Sequence, residues 1–122
     1  MPLFYDHQLD EEVVLKNQFI ELTNWLEHFK FISVEIEYLT RVKNSNIVNK
    51  NITSELLIKK DEIEYLKSIF YDFKNIIDNV RECIDIACEL FYTNQYDICK
   101  NQYLDFIQDY RTLKLKFLKQ LL

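Results

Sequence analysis

The chain has 122 residues, 48% hydrophobic and 29% charged, enough for one domain with a single core and the balance of a soluble globular protein. It contains no glycine and one proline, Pro2, which excludes the glycine-dependent GxSxG, GxxxxGK and GxGxxG motifs and the nucleotide and hydrolase chemistries built on them. The net charge of −5 sits mostly in the first forty residues, where eight acids face two bases, and the sequence has no concentrated basic face that would neutralise nucleic-acid phosphates.

Glycine supplies the positive-φ backbone of tight turns and phosphate-cradling loops, so its absence points to long stretches of regular helix. Alanine, at Ala87 alone, is also scarce, while Asn, Ile, Lys and Tyr are abundant. The same bias follows from an AT-rich genome, and hydrophobic periodicity therefore has to carry the fold assignment. No stretch reaches the ~18 uncharged apolar residues that cross a bilayer. Residues 1–7 lack a basic region followed by an apolar core, so a cytoplasmic location is the default expectation.

Helix 1 is predicted to begin near Asp10, with Asp10, Glu11 and Glu12 at the positive end of the helix dipole. Its apolar seam runs Leu15, Leu22, Trp25, Phe29, Ile32, Ile36 and Leu39, with Gln18 as a polar member and Phe19 and Leu26 widening one side. The polar stretch 43–51 is predicted to be the first loop. Helix 2 has two candidate starts, Ser54 and Asp61; Asp61 and Glu64 have capping-box spacing. The seam Ile63, Leu66, Phe70, Phe73, Ile77, Val80, Ile84, Ala87, Phe91 keeps phase through Asn75 and Asn79 and predicts one uninterrupted helix. Ile69, Ile76, Cys83 and Leu90 broaden it at every seventh position.

Helix 3 repeats the pattern at Tyr96, Cys99, Tyr103, Phe106, Tyr110, Leu113 and Phe117. Phe91 to Tyr96 is a phase jump of roughly 140°, which predicts a tight turn at 92–95; a kinked continuous helix is the alternative. The expected architecture is all-α: an antiparallel up-down-up bundle of three long helices, coiled-coil-like, forming a single domain over 1–122.

Apolar residues remain that such a bundle does not use. Val13, Ile20, Phe31, Val34 and Tyr38 fall opposite the seam of helix 1, and Leu115, Leu118 and Leu122 lie off the seam of helix 3. Scattered apolar residues are normal on monomers, but helices with two apolar sides call for a further helix or a partner. These eight residues are therefore the predicted interface of a homo-oligomer, most simply a dimer, and of a protein partner.

Candidate catalytic and metal-binding groups are sparse. Neither His7 nor His28 has a glutamate three residues before it, as the Glu-x-x-His pairs of di-iron bundles require. His28 lies mid-helix, as in phosphotransfer bundles, but it neighbours Phe29 and no glycine lets a partner approach closely, so a surface or boundary histidine is the preferred reading. Cys83, Cys88 and Cys99 lack CxxC spacing and read as reduced core thiols, so no metal or other cofactor is expected. Glu35 and Glu37 are two apart on a helix and do not face each other, which argues against paired acid–base work.

Tyr96, Tyr103 and Tyr110 recur every seventh residue and predict a ladder of rings packed in the core with their hydroxyls at the bundle edge. Arg111, Lys114, Lys116 and Lys119 complement the dipole at the end of helix 3; with the neighbouring leucines, this end is also where membrane contact would occur. The expected function is that of a non-enzymatic, self-associating helical bundle acting as an interaction module: an adaptor, scaffold or chaperone-like protein. The alternative is a ligand-binding or signalling bundle that uses a tyrosine-lined slot or His28.

Overall fold

The computed structural model describes the backbone of residues 3–42, 50–77 and 86–122, with side chains described at 13–42, 50–77 and 90–122. Three α-helices account for it: α1 (Leu3–Arg41), α2 (Lys50–Ile77) and α3 (Ile86–Leu121). At 39, 28 and 36 residues, they are about 58, 42 and 54 Å long at the helical rise of 1.5 Å per residue. No described residue has positive φ, in keeping with a chain that has no glycine to supply it.

Cross-helix contacts fix the directions. Going up α1, Lys74 lies over the Phe19 ring at 4.8 Å, Trp25 and Phe29 meet Phe70, and Glu37 pairs with Lys60, so α2 runs antiparallel to α1. Lys59 of α2 lies 5.6 Å from the Phe106 ring and 3.8 Å from the Asp109 carboxylate of α3. Meanwhile Phe70 shares Trp25 and Phe29 with Tyr103, so α3 reverses again. The result is the up-down-up bundle expected from the seams.

Trp25 and Phe29 are where all three helices meet. The indole stacks between Tyr96 and Tyr103, with centroids 5.6 and 5.2 Å away, and tilts against Phe70. Phe29, fully buried, touches Phe70 on one side and Phe106 edge-on at 5.4 Å on the other. Burying a phenyl ring of this kind stabilises the fold by about 1.5–3 kcal/mol, and offset or edge-on aromatic pairs add about 0.5–1.5 kcal/mol each. The buried faces match the predicted seams at Leu22, Leu26, Ile32 and Ile36, at Ile63, Leu66, Phe70 and Phe73, and at Cys99, Phe106, Leu113 and Phe117.

The helix ends differ from the sequence expectation. α1 starts at Leu3, ahead of Asp10, and α2 at Lys50, ahead of both Ser54 and Asp61. The early start of α2 is explained by Ile52 and Leu56, both buried, which carry the seam back from Ile63 by about three turns. Most of the predicted loop, 43–49, lies outside the described residues, whereas Lys50 and Asn51 are helical.

The predicted turn at 92–95 is corrected: these residues lie inside α3, which begins at Ile86. Tyr92 is half-buried against the core and extends the α3 seam backwards in the same three-four rhythm. Phe91, assigned to the helix 2 seam, is 56% exposed, and Leu90 is exposed with it. The spacing that joined Ile77 to Phe91 therefore ran across two separate helices. Val80, Cys83 and Ile84 of that seam fall outside the described residues, as do Asn79 and the side chains of Ala87 and Cys88.

Candidate functional site

Two features of α1 stand out, one facing α3 and one facing solvent. On the α3 side, three side-chain pairs each join residues 75 positions apart. Tyr96 donates its hydroxyl hydrogen bond to Glu21, Tyr103 shares a 2.6 Å hydrogen bond with Nδ1 of His28, and Tyr110 donates to Oε1 of Glu35 at 2.5 Å. A constant offset means α1 and α3 run parallel in fixed register, with one rung every seven residues. Their backbones approach less closely than either does α2, and tyrosine is long enough to span the gap with an apolar ring inside and a polar tip at the edge.

The rungs carry distinct electrostatics. Burial lowers the His28 pKa, and the Arg111 charge lowers it further against the opposing pull of Glu35. With His28 neutral, the direction of its hydrogen bond with the Tyr103 hydroxyl follows the imidazole tautomer. Burial of Glu35 disfavours its charge, but hydrogen bonds from Tyr110 and from Lys114, whose Nζ lies 2.9 Å away, outweigh that and hold the carboxyl below its usual range. Burial and the bond to Glu35 both push the Tyr110 phenol up, so it remains a donor throughout the neutral range. Glu35 thus faces α3 while Glu37 faces Lys60 of α2 at 2.7 Å, on opposite sides of α1, as their two-residue spacing predicts. These polar groups are committed to joining helices.

Cys99 is a buried free thiol with its pKa pushed up to about 11 by burial, the opposite of the environment that activates a cysteine. His7, Cys83 and Cys88 lie among the residues or side chains outside the described ones. Among the described residues, no group of three or more His, Cys, Asp or Glu side chains is placed to hold a metal ion, and no helix is long and apolar enough to cross a membrane. An open groove between α2 and α3 is lined by Ile58 and Leu113 among charged residues and is bridged by the Lys59–Asp109 ion pair.

On the solvent side of α1, Phe31, Val34 and Tyr38 are 65%, 49% and 64% exposed, and Val42 continues their line. They form a ridge at i, i+3, i+7 spacing directly behind the core residues Phe29, Ile32 and Ile36. Val13 and Ile20 are exposed along the same stripe, but Asn24 and Glu27, also exposed, separate them from Phe31. Leu115 and Leu118 are exposed on α3, joined there by Leu104, and Leu122 is exposed just past its end. The parallel register sets this end of α3 level with the last turns of α1 (the fixed offset carries Tyr38 to Leu113 and Val42 to Phe117).

The structure thus gathers Phe31, Val34 and Tyr38 into one patch, and it places Val13 and Ile20 further down the stripe and the three leucines on and just past α3. The partners of the tyrosines were not anticipated, although Glu21, His28 and Glu35 repeat at the same seven-residue interval and carried the signal. Compared with protein-family models, curated proteins and solved structures, the chain matches none. Its function is therefore read from its own geometry.

Proposed function

We propose that this chain is a non-enzymatic, self-associating helical bundle that acts through its surfaces as a protein–protein interaction module, in the manner of an adaptor, scaffold or chaperone-like protein. The observation that carries the reading is the Phe31, Val34 and Tyr38 ridge, apolar and open to solvent on a helix whose opposite face already fills the core. Covering Phe31 alone contributes about 1.5–3 kcal/mol per chain, and aromatic residues at the centre of a patch are the anchors on which interfaces depend most.

The ridge also stands apart from the polar ladder, so a partner can cover it without disturbing the contacts between helices. The alternative use of the tyrosines as a ligand slot draws no comparable support, because Trp25 stacks between Tyr96 and Tyr103. Replacing Phe31 and Val34 together by serine tests the reading: circular dichroism should report an intact helical fold, and light scattering should report loss of self-association. Unfolding of the double variant would assign the ridge to the core and overturn the proposal.

A further inference from the structure

Resting on that reading, we infer that the occupant of the ridge is a second copy of this chain, docked antiparallel about a two-fold axis near Val34. Charge complementarity along α1 points to this occupant. Glu27 and Arg41, seven residues either side of Val34, share its line on the helix, and Lys30 and Glu37 lie beside that line on the side nearer α2, where Glu37 already meets Lys60; all four are exposed. Along α1 the four read minus, plus, minus, plus.

An antiparallel two-fold pair sets each flank against the same flank of its copy in reversed order, as in antiparallel helix pairs generally. Reversed, the series becomes plus, minus, plus, minus. Glu27 then opposes Arg41 of the second copy, Lys30 opposes Glu37 of the second copy, and each pairing occurs twice. The same register sets Phe31 against Tyr38 of the second copy and Val34 against its own counterpart, so the apolar centre and the charged edge agree.

A parallel pair would instead set Glu27 and Arg41 against their own like-charged counterparts, and Lys30 and Glu37 against the opposite flank. There, Asn24, His28 and Val42 offer no charge with His28 neutral, and Glu35 is held by Tyr110 and Lys114. Within one chain Glu37 is held by Lys60 at 2.7 Å, but Glu27 and Arg41 are lightly held: the Glu27–Lys30 pair spans 3.4 Å with both side chains more than half exposed, and Arg41 lies over the Tyr38 ring at 5.9 Å. Both are placed to turn towards a docked copy.

The test is charge reversal on the full chain, read by sedimentation equilibrium at low salt. Glu27→Arg alone and Arg41→Glu alone each place like charges opposite one another twice, and each should weaken the dimer by roughly ten-fold or more. Mixed in equal amounts, the two variants should recover the affinity of the unaltered chain, because every pair is again unlike. As an independent check, Val34→Cys should give a disulfide-linked dimer on oxidation, beyond any produced by the unaltered chain. If the unaltered chain dimerises but reversal has no effect, the mixture does not recover, or the cysteines fail to link, the register is wrong while self-association stands. If the unaltered chain is a monomer at tens of micromolar, both fall.

Discussion

His28 is the one rung of the ladder whose charge changes near neutral pH. Its ordinary pKa of 6.5 is lowered in the folded chain, first by burial and then by Arg111, with Glu35 pulling the other way. Below 6.5, and down to the lowered value, the unfolded chain binds a proton that the folded chain does not, so stability rises with pH in that window and falls on acidification. Urea unfolding followed between about pH 7.5 and about pH 5 should show this loss, and His28→Gln should flatten it. An unchanged slope in the variant would remove His28 as the cause. Glu35 adds a second loss further down: its lowered pKa stabilises the fold above the carboxylate range, and that stability disappears as the pH falls through the lowered value.

The contrast between Phe29 and Phe31, two residues apart, states the facing of α1 at single-residue resolution. Phe29→Ala opens a hole where α1, α2 and α3 meet and should cost about 3–5 kcal/mol in denaturant unfolding. Phe31→Ala removes an exposed ring and should change the stability of the monomer by no more than about 0.5 kcal/mol. Equal losses at the two sites would mean that the assigned face is wrong.

At the scale of elements, the sharpest consequence concerns α3. Asn94 is exposed in the third turn of a helix that begins at Ile86. Asn94→Pro should therefore remove a backbone hydrogen bond and clash with the preceding turn, at a cost of about 3 kcal/mol or more. A turn at 92–95 would tolerate it, so thermal unfolding of this one variant separates the two structures.

The seam residues were legible because burial follows helical period closely: Leu22, Phe29 and Ile36 in α1 and Cys99, Phe106 and Leu113 in α3 are buried as their spacing requires. The break between α2 and α3 was not, because Ile84, Ala87 and Phe91 happen to continue the α2 spacing. Periodicity reports which residues share a face but not which helix they belong to, and without Gly or Pro nothing in the local sequence marked the boundary. The start of α2 was missed for a related reason: Ser54 and Asp61 resemble caps, but the burial of Ile52 and Leu56 outweighs cap preference. The ladder was half legible, since the tyrosine repeat was plain while the matching repeat of Glu21, His28 and Glu35 requires the parallel α1–α3 register to acquire meaning.

At the scale of the whole molecule, the bundle has one apolar interior and an exterior that is not uniformly polar. Its helices are joined by aromatic packing at Trp25 and Phe29 and by the tyrosine ladder along one edge. Neither feature needs the Phe31, Val34 and Tyr38 ridge, which leaves that ridge available for association. If flanking charges set the register of that association, added salt should weaken it only in part, screening the ion pairs while leaving the apolar centre. A concentration series across a salt gradient should show a partial rather than a complete loss of affinity.

The most direct test of the account is the solution mass of the unaltered chain, measured by light scattering at tens of micromolar beside the Phe31→Ser, Val34→Ser double variant. The account predicts twice the chain mass for the unaltered protein and the single-chain mass for a variant that keeps its helical spectrum. A single-chain mass for the unaltered protein, or a dimer that survives in the variant, would contradict it.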